Sequence, residues 1–249
     1  MDQPTILVVN PNTSKVMTAA IQRVAQAAAG TSANVITIRS EHGPHTVEGA
    51  LDAALAVAGM LEVIGAYRQP FDTVVVACFS DPGVEALRML VRVPVIGMGA
   101  ASFVQAGFMS QRFAIVTPSV GTPARYAAVA AAMGLTRQFL GTYQTPLSVA
   151  DFESEDPTVL ETLVFHAEQA VKEGAECLLF GCAGIADQIR DIEGRVGVTC
   201  IASVAAGVNQ AIACVRHRHS PLLGGPFRTI KTKSLEGFEA LQPHYQGRK

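Results

Sequence analysis

Short apolar runs alternate with longer amphipathic segments along this chain. The run from Ile6 to Val9 predicts a buried strand, and apolar residues recur at helical spacing in the segment that follows it. That helical face is formed by Met17, Ile21, Val24 and Ala28. Thr13 or Ser14 is the expected N-cap of the helix. Further pairs of a strand and a helix follow as far as residue 216, a pattern typical of α/β proteins with parallel sheets.

The first half of the chain contains three more predicted strands. They are Val35 to Ile38, Val74 to Ala77 and Val93 to Gly97. A long helix from about Thr46 is expected between the first two of these strands. Its predicted buried stripe consists of Leu51, Leu55, Ala58 and Leu61.

The second half repeats this order. Its predicted strands are Phe113 to Val116, Phe139 to Tyr143, Cys177 to Phe180 and Val198 to Ile201, with helices at Thr158 to Lys172 and Ala205 to Arg216. Equivalent points recur roughly 105 residues apart, which indicates an internal duplication. We therefore expect an α/β fold of two pseudosymmetric lobes, each a mostly parallel sheet flanked by helices, with the active site in the cleft between them. Residues 1–98 with 205–249 would form the first lobe, and residues 99–204 the second.

Composition narrows the possible functions. Apolar residues make up 49% of the 249 residues, which suits a large buried core, and the net charge of -2 gives no electrostatic reason to expect nucleic acid or an anionic membrane as a partner. No leader-like segment and no long uninterrupted apolar run is seen, so a cytoplasmic location is expected. The five cysteines are then expected to be free thiols.

Two of these cysteines follow predicted strands directly, at equivalent places in the two halves. Cys78 begins the turn Cys-Phe-Ser-Asp-Pro-Gly, and Cys182 lies in Gly-Cys-Ala-Gly. Ligands of open parallel sheets bind beyond the carboxyl ends of the strands, so we expect both thiols to face one cleft. A helix is predicted after each turn, and its N-terminus would favour a thiolate.

Two thiols on opposite sides of a small molecule suit inversion at an acidic carbon next to a carbonyl. One thiolate removes the proton, and the other thiol returns a proton to the opposite face. No cofactor and no metal is required if backbone N–H groups stabilise the enolate. The predicted donors are the N–H groups of Phe79, Ser80, Ala183 and Gly184.

Other chemistry finds less support in the sequence. Cys177, Cys200 and Cys214 lie within apolar patterns and are interpreted as packing residues. Asn10 and Thr117 end the first strand of each half, where each could bind a thiol or a ligand carbonyl or else cap the following turn. The six histidines show no metal-binding pattern, and no glycine-rich nucleotide motif follows a strand.

Several motifs together resemble the hydantoin and allantoin racemases of the aspartate/glutamate racemase superfamily. They are Val9-Asn10-Pro11-Asn12-Thr13-Ser14, Gly43-Pro44 with Val47-Glu48-Gly49, and the turns that begin at Cys78 and Gly181. The resemblance implies a two-lobe fold, no cofactor, a catalytic pair at Cys78 and Cys182, and assembly as a homo-oligomer. It also implies ligand contacts at Asn10, Phe79, Ser80, Thr117, Ala183 and Gly184. The stretch from Lys233 to Pro243 is more similar to the allantoin racemase branch, which implies a role in purine catabolism.

The expected activity is therefore inversion at C5 of allantoin or a 5-substituted hydantoin, a small cyclic ureide. Two alternatives stay open at this point. One is a maleate isomerase or arylmalonate decarboxylase type of enzyme from the same superfamily. The other is a non-catalytic protein that closes two lobes around a ligand.

Overall fold

Two parallel four-stranded sheets form the framework of the computed structural model, which describes residues 3–118, 123–154, 156–185, 187–219 and 234–245. The first sheet has the order β2-β1-β3-β4, with the bounds β1 Thr5–Asn10, β2 Asn34–Arg39, β3 Thr73–Val76 and β4 Val95–Gly97. The second has the order β6-β5-β7-β8, with the bounds β5 Phe113–Pro118, β6 Phe139–Thr145, β7 Cys177–Phe180 and β8 Thr199–Ile201. The same order in both sheets confirms the predicted α/β fold with an internal repeat.

Helices connect the strands and cover both faces of the first sheet. Their bounds are α1 Lys15–Ala29, α2 Ala50–Ala66, α3 Val84–Leu90, α4 Met98–Met109, α5 Pro123–Ala132, α6 Pro157–Lys172, α7 Ile189–Val196, α8 Ser203–Arg216 and α9 Gln242–Tyr245. Short 3₁₀ helices lie at Ala150–Glu153, Ala183–Ile185 and Glu239–Leu241. Across the described residues, no helix combines the length and the apolar character needed to cross a membrane.

The strands of the first sheet bury side chains on both faces. On β1, Ile6 and Val8 belong to the larger apolar core, whereas Leu7 and Val9 pack with Met60 in a second core on the opposite face. This alternation follows from the two-residue period of a strand. Both sheets contribute to the larger core, so the two halves of the molecule are packed against each other.

Helices α4 and α8 pack together between the sheets and hold them in place. Helix α8 contacts β3 and β4 of the first sheet, and α4 contacts β7 of the second. The absence of a side chain at Gly207 permits this approach, because a Cβ there would lie 2.9 Å from Cγ1 of Val75. The carboxyl ends of the central strands are thereby fixed relative to one another.

The predicted buried stripe of α2 is wrong. Leu51 and Leu55 are 73% and 53% exposed, and the buried face instead contains Ala56, Met60 and Ile64. Nearly every position of this helix is apolar, so periodicity could not select a face. The helix also begins at Ala50 rather than near Thr46.

The remaining helix predictions agree more closely with the structure. On α1, Met17 and Ile21 are buried, whereas Val24 and Ala28 are only partly buried. Ser14 is the N-cap of this helix, and its hydroxyl accepts a hydrogen bond from the backbone N–H of Met17. Residues 220–233 and 246–249, which include Lys233 at the start of the stretch that resembles the allantoin racemase branch, lie outside the described residues. Leu241, from the described part, is buried against Gly65 of α2.

Candidate active site

The central strands of the two sheets end in the same way. The N–H of Ala77, just after β3, donates to Val9 O at 2.9 Å, and the N–H of Gly181, just after β7, donates to Val116 O at 2.9 Å. Cys78 and Cys182 are the next residues along the chain. Each cysteine therefore leaves its sheet at an equivalent point, as the sequence repeat predicted.

A cavity of about 300 Å³ lies at these strand ends. Both halves of the molecule line it. Its polar lining residues are Glu48, Cys78, Ser80, Thr117, Arg125 and Tyr126, and Gly181 forms part of the wall. The volume is at the small end of the range for ligand sites, so the cavity suits a compact molecule.

Cys78 lines this cavity and is only partly buried. Its Sγ lies 3.4 Å from Ser80 Oγ. Burial raises the pKa of the Cys78 thiol, and the hydroxyl and backbone N–H of Ser80, together with the nearby Arg125, act in the opposite direction. Burial thus favours the neutral thiol, while Ser80 and Arg125 provide groups that stabilise the thiolate.

Cys182 is more deeply placed, with 9% of its surface exposed. Its Sγ accepts a hydrogen bond from the backbone N–H of Gly184 at 3.3 Å. Burial, together with the negative charges of Cys78, Glu48 and Glu153, raises the pKa of this thiol to about 12, although the hydrogen bond from Gly184 acts to lower it. Because ionised Cys78 disfavours a second thiolate at Cys182, the pair favours one thiolate and one thiol over two thiolates.

Comparison with known proteins decides the family. The family model described as Asp/Glu/hydantoin racemase matches residues 6–211. This chain belongs to the Asp/Glu/hydantoin racemase family. It is 33% identical over 208 residues to the hydantoin racemase of Pseudomonas sp. (strain NS671), covering 83% of this chain and 84% of that protein. The membership predicted from the motifs is confirmed.

Solved structures of the racemase family agree with this assignment over nearly the whole chain. Allantoin racemase from Klebsiella pneumoniae matches with a TM-score of 0.91 at 30% identity, covering 96% of this chain and 99% of that one. Allantoin racemase from Pseudomonas fluorescens matches with a TM-score of 0.87 at 31% identity, covering 94% and 100%. The two-lobe arrangement is thus shared with solved members of the family.

Two details of the predicted racemase site are wrong. Neither thiol lies at the N-terminus of an α-helix, because α3 begins at Val84 and α7 at Ile189, although Cys182 directly precedes the 3₁₀ helix Ala183–Ile185. Burial raises the pKa of both thiols, whereas a helix N-terminus was expected to lower it. In addition, the N–H groups of Ser80 and Gly184, predicted to bind the ligand, donate to the two sulfurs.

The other predicted site residues are divided between the cavity and the core. Thr117 lines the cavity and is hydrogen-bonded to the Tyr126 hydroxyl. Phe79 is buried, with its ring 5.4 Å from that of Tyr126. Ala183 is buried at the start of a 3₁₀ helix, and Gly184 lies beside Cys182. The side chains of Phe79 and Ala183 therefore support the walls without lining the cavity.

Asn10 is the last residue of β1, directly before the turn at residues 11–14, and is fully buried. Its side-chain amide nitrogen, Nδ2, donates to Asn12 Oδ1 at 2.7 Å and to Thr18 Oγ1 at 3.0 Å. Its side-chain oxygen, Oδ1, accepts from the backbone N–H of Asn12. These bonds correspond to the turn-capping interpretation of Asn10. The turn also holds the next loop, since the N–H of Thr13 donates to Pro44 O at 3.1 Å.

The loop between β2 and α2, residues 40–49, borders the cavity and contacts the second half of the molecule. Val47, Glu48 and Gly49 line the cavity from this side. His45 Nε2 lies 3.3 Å from Oε2 of Glu153, which belongs to the second half. The contact holds the loop across the cleft.

Sequence reasoning missed Glu48, Arg125 and Tyr126 as members of the site. None of them lies at the end of a strand: Glu48 belongs to the loop before α2, and Arg125 and Tyr126 to α5. Arg125 Nη2 donates to Ser80 O at 2.8 Å and so joins α5 to the Cys78 turn. Glu48 was visible only as part of the Val-Glu-Gly segment in the family resemblance.

Cys78 lines the cavity, whereas Cys182 lies buried directly behind the lining residue Gly181, and the three other cysteines, Cys177, Cys200 and Cys214, are buried as well. Burial raises the pKa of Cys177 and of Cys200 to about 12 in each case. Both keep the inert, packed character expected from their strands. In the part of the chain that the structure describes, no three His, Cys, Asp or Glu side chains gather as a metal-ion site would require.

Asp81 fixes the turn that carries Cys78. Its carboxylate accepts from the N–H of Gly99 at 2.9 Å and of Ala100 at 2.7 Å, at the start of α4. Its backbone has a positive φ of 49°, which is unusual for a residue with a side chain. Gly97 leaves the space for this carboxylate, because a Cβ there would overlap it. The Cys78 turn is therefore anchored to α4.

Asp81 should make stability depend on pH. Burial raises the pKa of its carboxyl from 3.8 to about 6, so the folded state binds a proton that the unfolded state releases between these values. The contribution to the unfolding free energy should fall by about 3 kcal/mol as pH rises from roughly 3 to 7. Urea denaturation of Asp81→Asn should show a correspondingly flatter pH dependence.

The control for this prediction is Glu85→Gln, which removes an exposed acid from the first turn of α3. The Glu85→Gln variant should show the same pH dependence of the unfolding free energy as the wild-type protein. Parallel curves for wild type and Asp81→Asn would contradict the assignment.

Proposed function

We propose that this protein is a cofactor-independent racemase that inverts C5 of a cyclic ureide, allantoin or a 5-substituted hydantoin, with Cys78 and Cys182 as an acid/base pair. The observation that carries the proposal is the equivalent placement of the two cysteines after β3 and β7, with Cys78 and Gly181 in the wall of one cavity. Relatives named hydantoin racemase and solved structures named allantoin racemase support the substrate class.

The proposed reaction needs only proton transfer. The thiolate on one side takes the C5 proton and becomes a thiol, and the electron pair of the C–H bond moves into the neighbouring carbonyl as an enolate. The opposite thiol then donates its proton to the other face of C5 and becomes the thiolate. The reverse reaction exchanges these roles, so no redox partner is consumed.

The enolate oxygen needs a donor that does not already serve a sulfur. Arg125 and the Tyr126 hydroxyl both line the cavity and meet this condition. Burial raises the pKa of Tyr126, so the phenol keeps its proton, and the hydrogen bond with Thr117 acts in the opposite direction, as expected if Thr117 donates to the phenol oxygen. The Tyr126 O–H is then available to the ligand. A positioned donor of this kind is worth about 10²-fold or more in rate.

The rate of this proposed reaction should rise with pH. Because burial raises the pKa of both thiols above the ordinary range, the form with one thiolate is scarce near neutrality. kcat/KM should therefore increase about tenfold per pH unit between roughly pH 6 and 8. Polarimetry with a single enantiomer, corrected for racemisation without enzyme, measures this slope. A flat profile over the same interval would mean that one thiol is already ionised at rest.

Optical rotation provides the direct test of the activity. Purified protein, without added metal or cofactor, should drive each enantiomer of allantoin or of a 5-substituted hydantoin to zero rotation. Maleate and an arylmalonate should be left unchanged in the same assay. Decay of rotation with none of the ureides would overturn the proposal.

Three further expectations belong to this proposal. They are the lobe boundaries given above, a cytoplasmic location, and assembly as a homo-oligomer. Light scattering on the purified protein measures the assembly, and each of the three stays a prediction.

A further inference from the structure

Two opposite charges face the cavity without pairing with each other. Glu48 and Arg125 both line it, yet no ion pair joins them within the described residues. Arg125 instead donates to the backbone O of Ser80, and the Glu48 carboxylate accepts only from Thr46 Oγ1, at 2.9 Å, in that part of the chain. A carboxylate has about four acceptor sites, so Glu48 retains unused capacity on the cavity side.

The backbone around Glu48 is held firmly. Oδ2 of Asp52 accepts from the N–H of Glu48 and from the N–H of Gly49, each at 3.1 Å, and so caps the start of α2. Thr46 holds the carboxylate from the other side. The charge is therefore presented to the cavity from a fixed position, as selective recognition requires.

The negative charge of Glu48 is unfavourable for the proposed proton transfer by Cys182. Its negative charge raises the pKa of Cys182 and so disfavours the thiolate that one direction of the reaction needs. A neutral residue at this position would leave that thiol easier to ionise. A role in binding would offset this cost.

A ligand that satisfies both charges must offer N–H donors to Glu48 and a carbonyl acceptor to Arg125. A neutral ureide does both. An anionic substituent would be repelled by Glu48, and an apolar substituent would leave the carboxylate desolvated and unpaired.

We propose that Glu48 determines specificity by accepting hydrogen bonds from N–H groups on the C5 substituent, so that ureido substituents are preferred over apolar ones of the same shape. This inference rests on the proposed racemase function and assigns its substrate to the ureido class. Glu48 binds the substituent, while Arg125 and Tyr126 bind the ring.

A matched pair of substrates tests the inference. Allantoin carries a ureido group at C5, and 5-isobutylhydantoin carries an apolar group with the same branching and the same number of heavy atoms. The ratio of their kcat/KM values should fall by about 100-fold in Glu48→Leu, because a charge-assisted hydrogen bond is lost only for allantoin. Glu48→Gln, which keeps one acceptor oxygen, should lower the ratio by about tenfold.

Glu153→Gln is the matched control. Glu153 also raises the pKa of Cys182 but does not line the cavity, and glutamine keeps one oxygen that can accept from His45 Nε2. Removing its charge should shift the pH profile for both substrates equally and leave their ratio within about twofold of wild type. This variant therefore separates the electrostatic effect on the thiol from recognition of the substituent.

Calorimetric Kd values for the two ureides give a readout that is independent of turnover. If wild type racemises neither ureide, the proposed function is overturned, and the Kd ratio still tests the role of Glu48. If both are racemised and Glu48→Leu leaves both ratios unchanged, the role of Glu48 is overturned and the racemase function stands. Should Glu48→Leu fail to fold, the isosteric Glu48→Gln decides the question on the same two ratios.

Discussion

Replacing either Cys78 or Cys182 with Ser should lower racemisation by about 10³- to 10⁴-fold, because each thiol performs a proton transfer that a hydroxyl performs poorly. The loss should be similar for the two variants, since inversion in either direction needs both groups. Polarimetry with each enantiomer measures it. Cys214→Ser is the control, because Cys214 is buried near the C-terminal end of α8 and not at the end of β3 or β7, so it should keep activity within about threefold of wild type.

The two serine variants should differ in which substrate enantiomer they still deprotonate. With Cys78 intact, exchange of the C5 proton should persist for one enantiomer, and with Cys182 intact it should persist for the other. Proton NMR in heavy water follows each enantiomer separately. Loss of exchange from the same enantiomer in both variants would contradict a two-sided arrangement.

Gly181→Ala should be damaging both to stability and to activity. A Cβ at this position would overlap the Thr117 side chain, with Thr117 Cβ only 2.8 Å away, and would lie 3.4 Å from the Tyr126 hydroxyl. The ends of β5 and β7 would have to separate, at a cost of about 1 to 3 kcal/mol in unfolding free energy. Because Cys182 follows directly, kcat should fall by about 100-fold through misplacement of the thiol.

Gly194→Ala provides the comparison for this effect. Gly194 is exposed on α7, and no atom lies within 4 Å of a Cβ built there. This substitution should raise the unfolding free energy by up to about 1 kcal/mol and leave activity unchanged. Chemical denaturation and initial rates measure both variants. Equal stability of the two alanine variants would show that the strand ends are less tightly packed than described.

The two repeated parallel sheets and the placement of the cysteines after equivalent strands followed from the sequence for a physical reason. Parallel strands with crossover helices bring the carboxyl ends of the strands to one edge, so a repeat with Cys78 and Cys182 at equivalent ends predicts one shared site. That argument uses only local pattern and connectivity.

The ionisation of the thiols did not follow from local pattern. A helix was expected directly after each cysteine, but the turn from Phe79 to Gly83 separates Cys78 from α3. Burial, which depends on the packing of both halves, then determines the direction of the pKa change. The exposed side of α2 was also missed, because a helix that is apolar all round contains no period from which to select a face.

The lining from Glu48, Arg125 and Tyr126 also depends on tertiary packing. Glu48 reaches the cavity because the turn after β1 holds Pro44 through Thr13, and Arg125 does so through its bond to Ser80 O. Contacts between segments so distant in sequence leave no signal in a single chain. The substituent specificity proposed above could therefore be argued only from the structure.

Deuterium incorporation at low conversion in heavy water tests most directly whether one sulfur acts on each face of C5. A single enantiomer is incubated with the wild-type protein, and the reaction is stopped before a tenth of the material has reacted. The two enantiomers are then separated, and the deuterium content of each is measured by mass spectrometry. Our account predicts deuterium in nearly all of the newly formed enantiomer and almost none in the recovered starting enantiomer. Equal deuterium in both, or protium retained in the product, would contradict it.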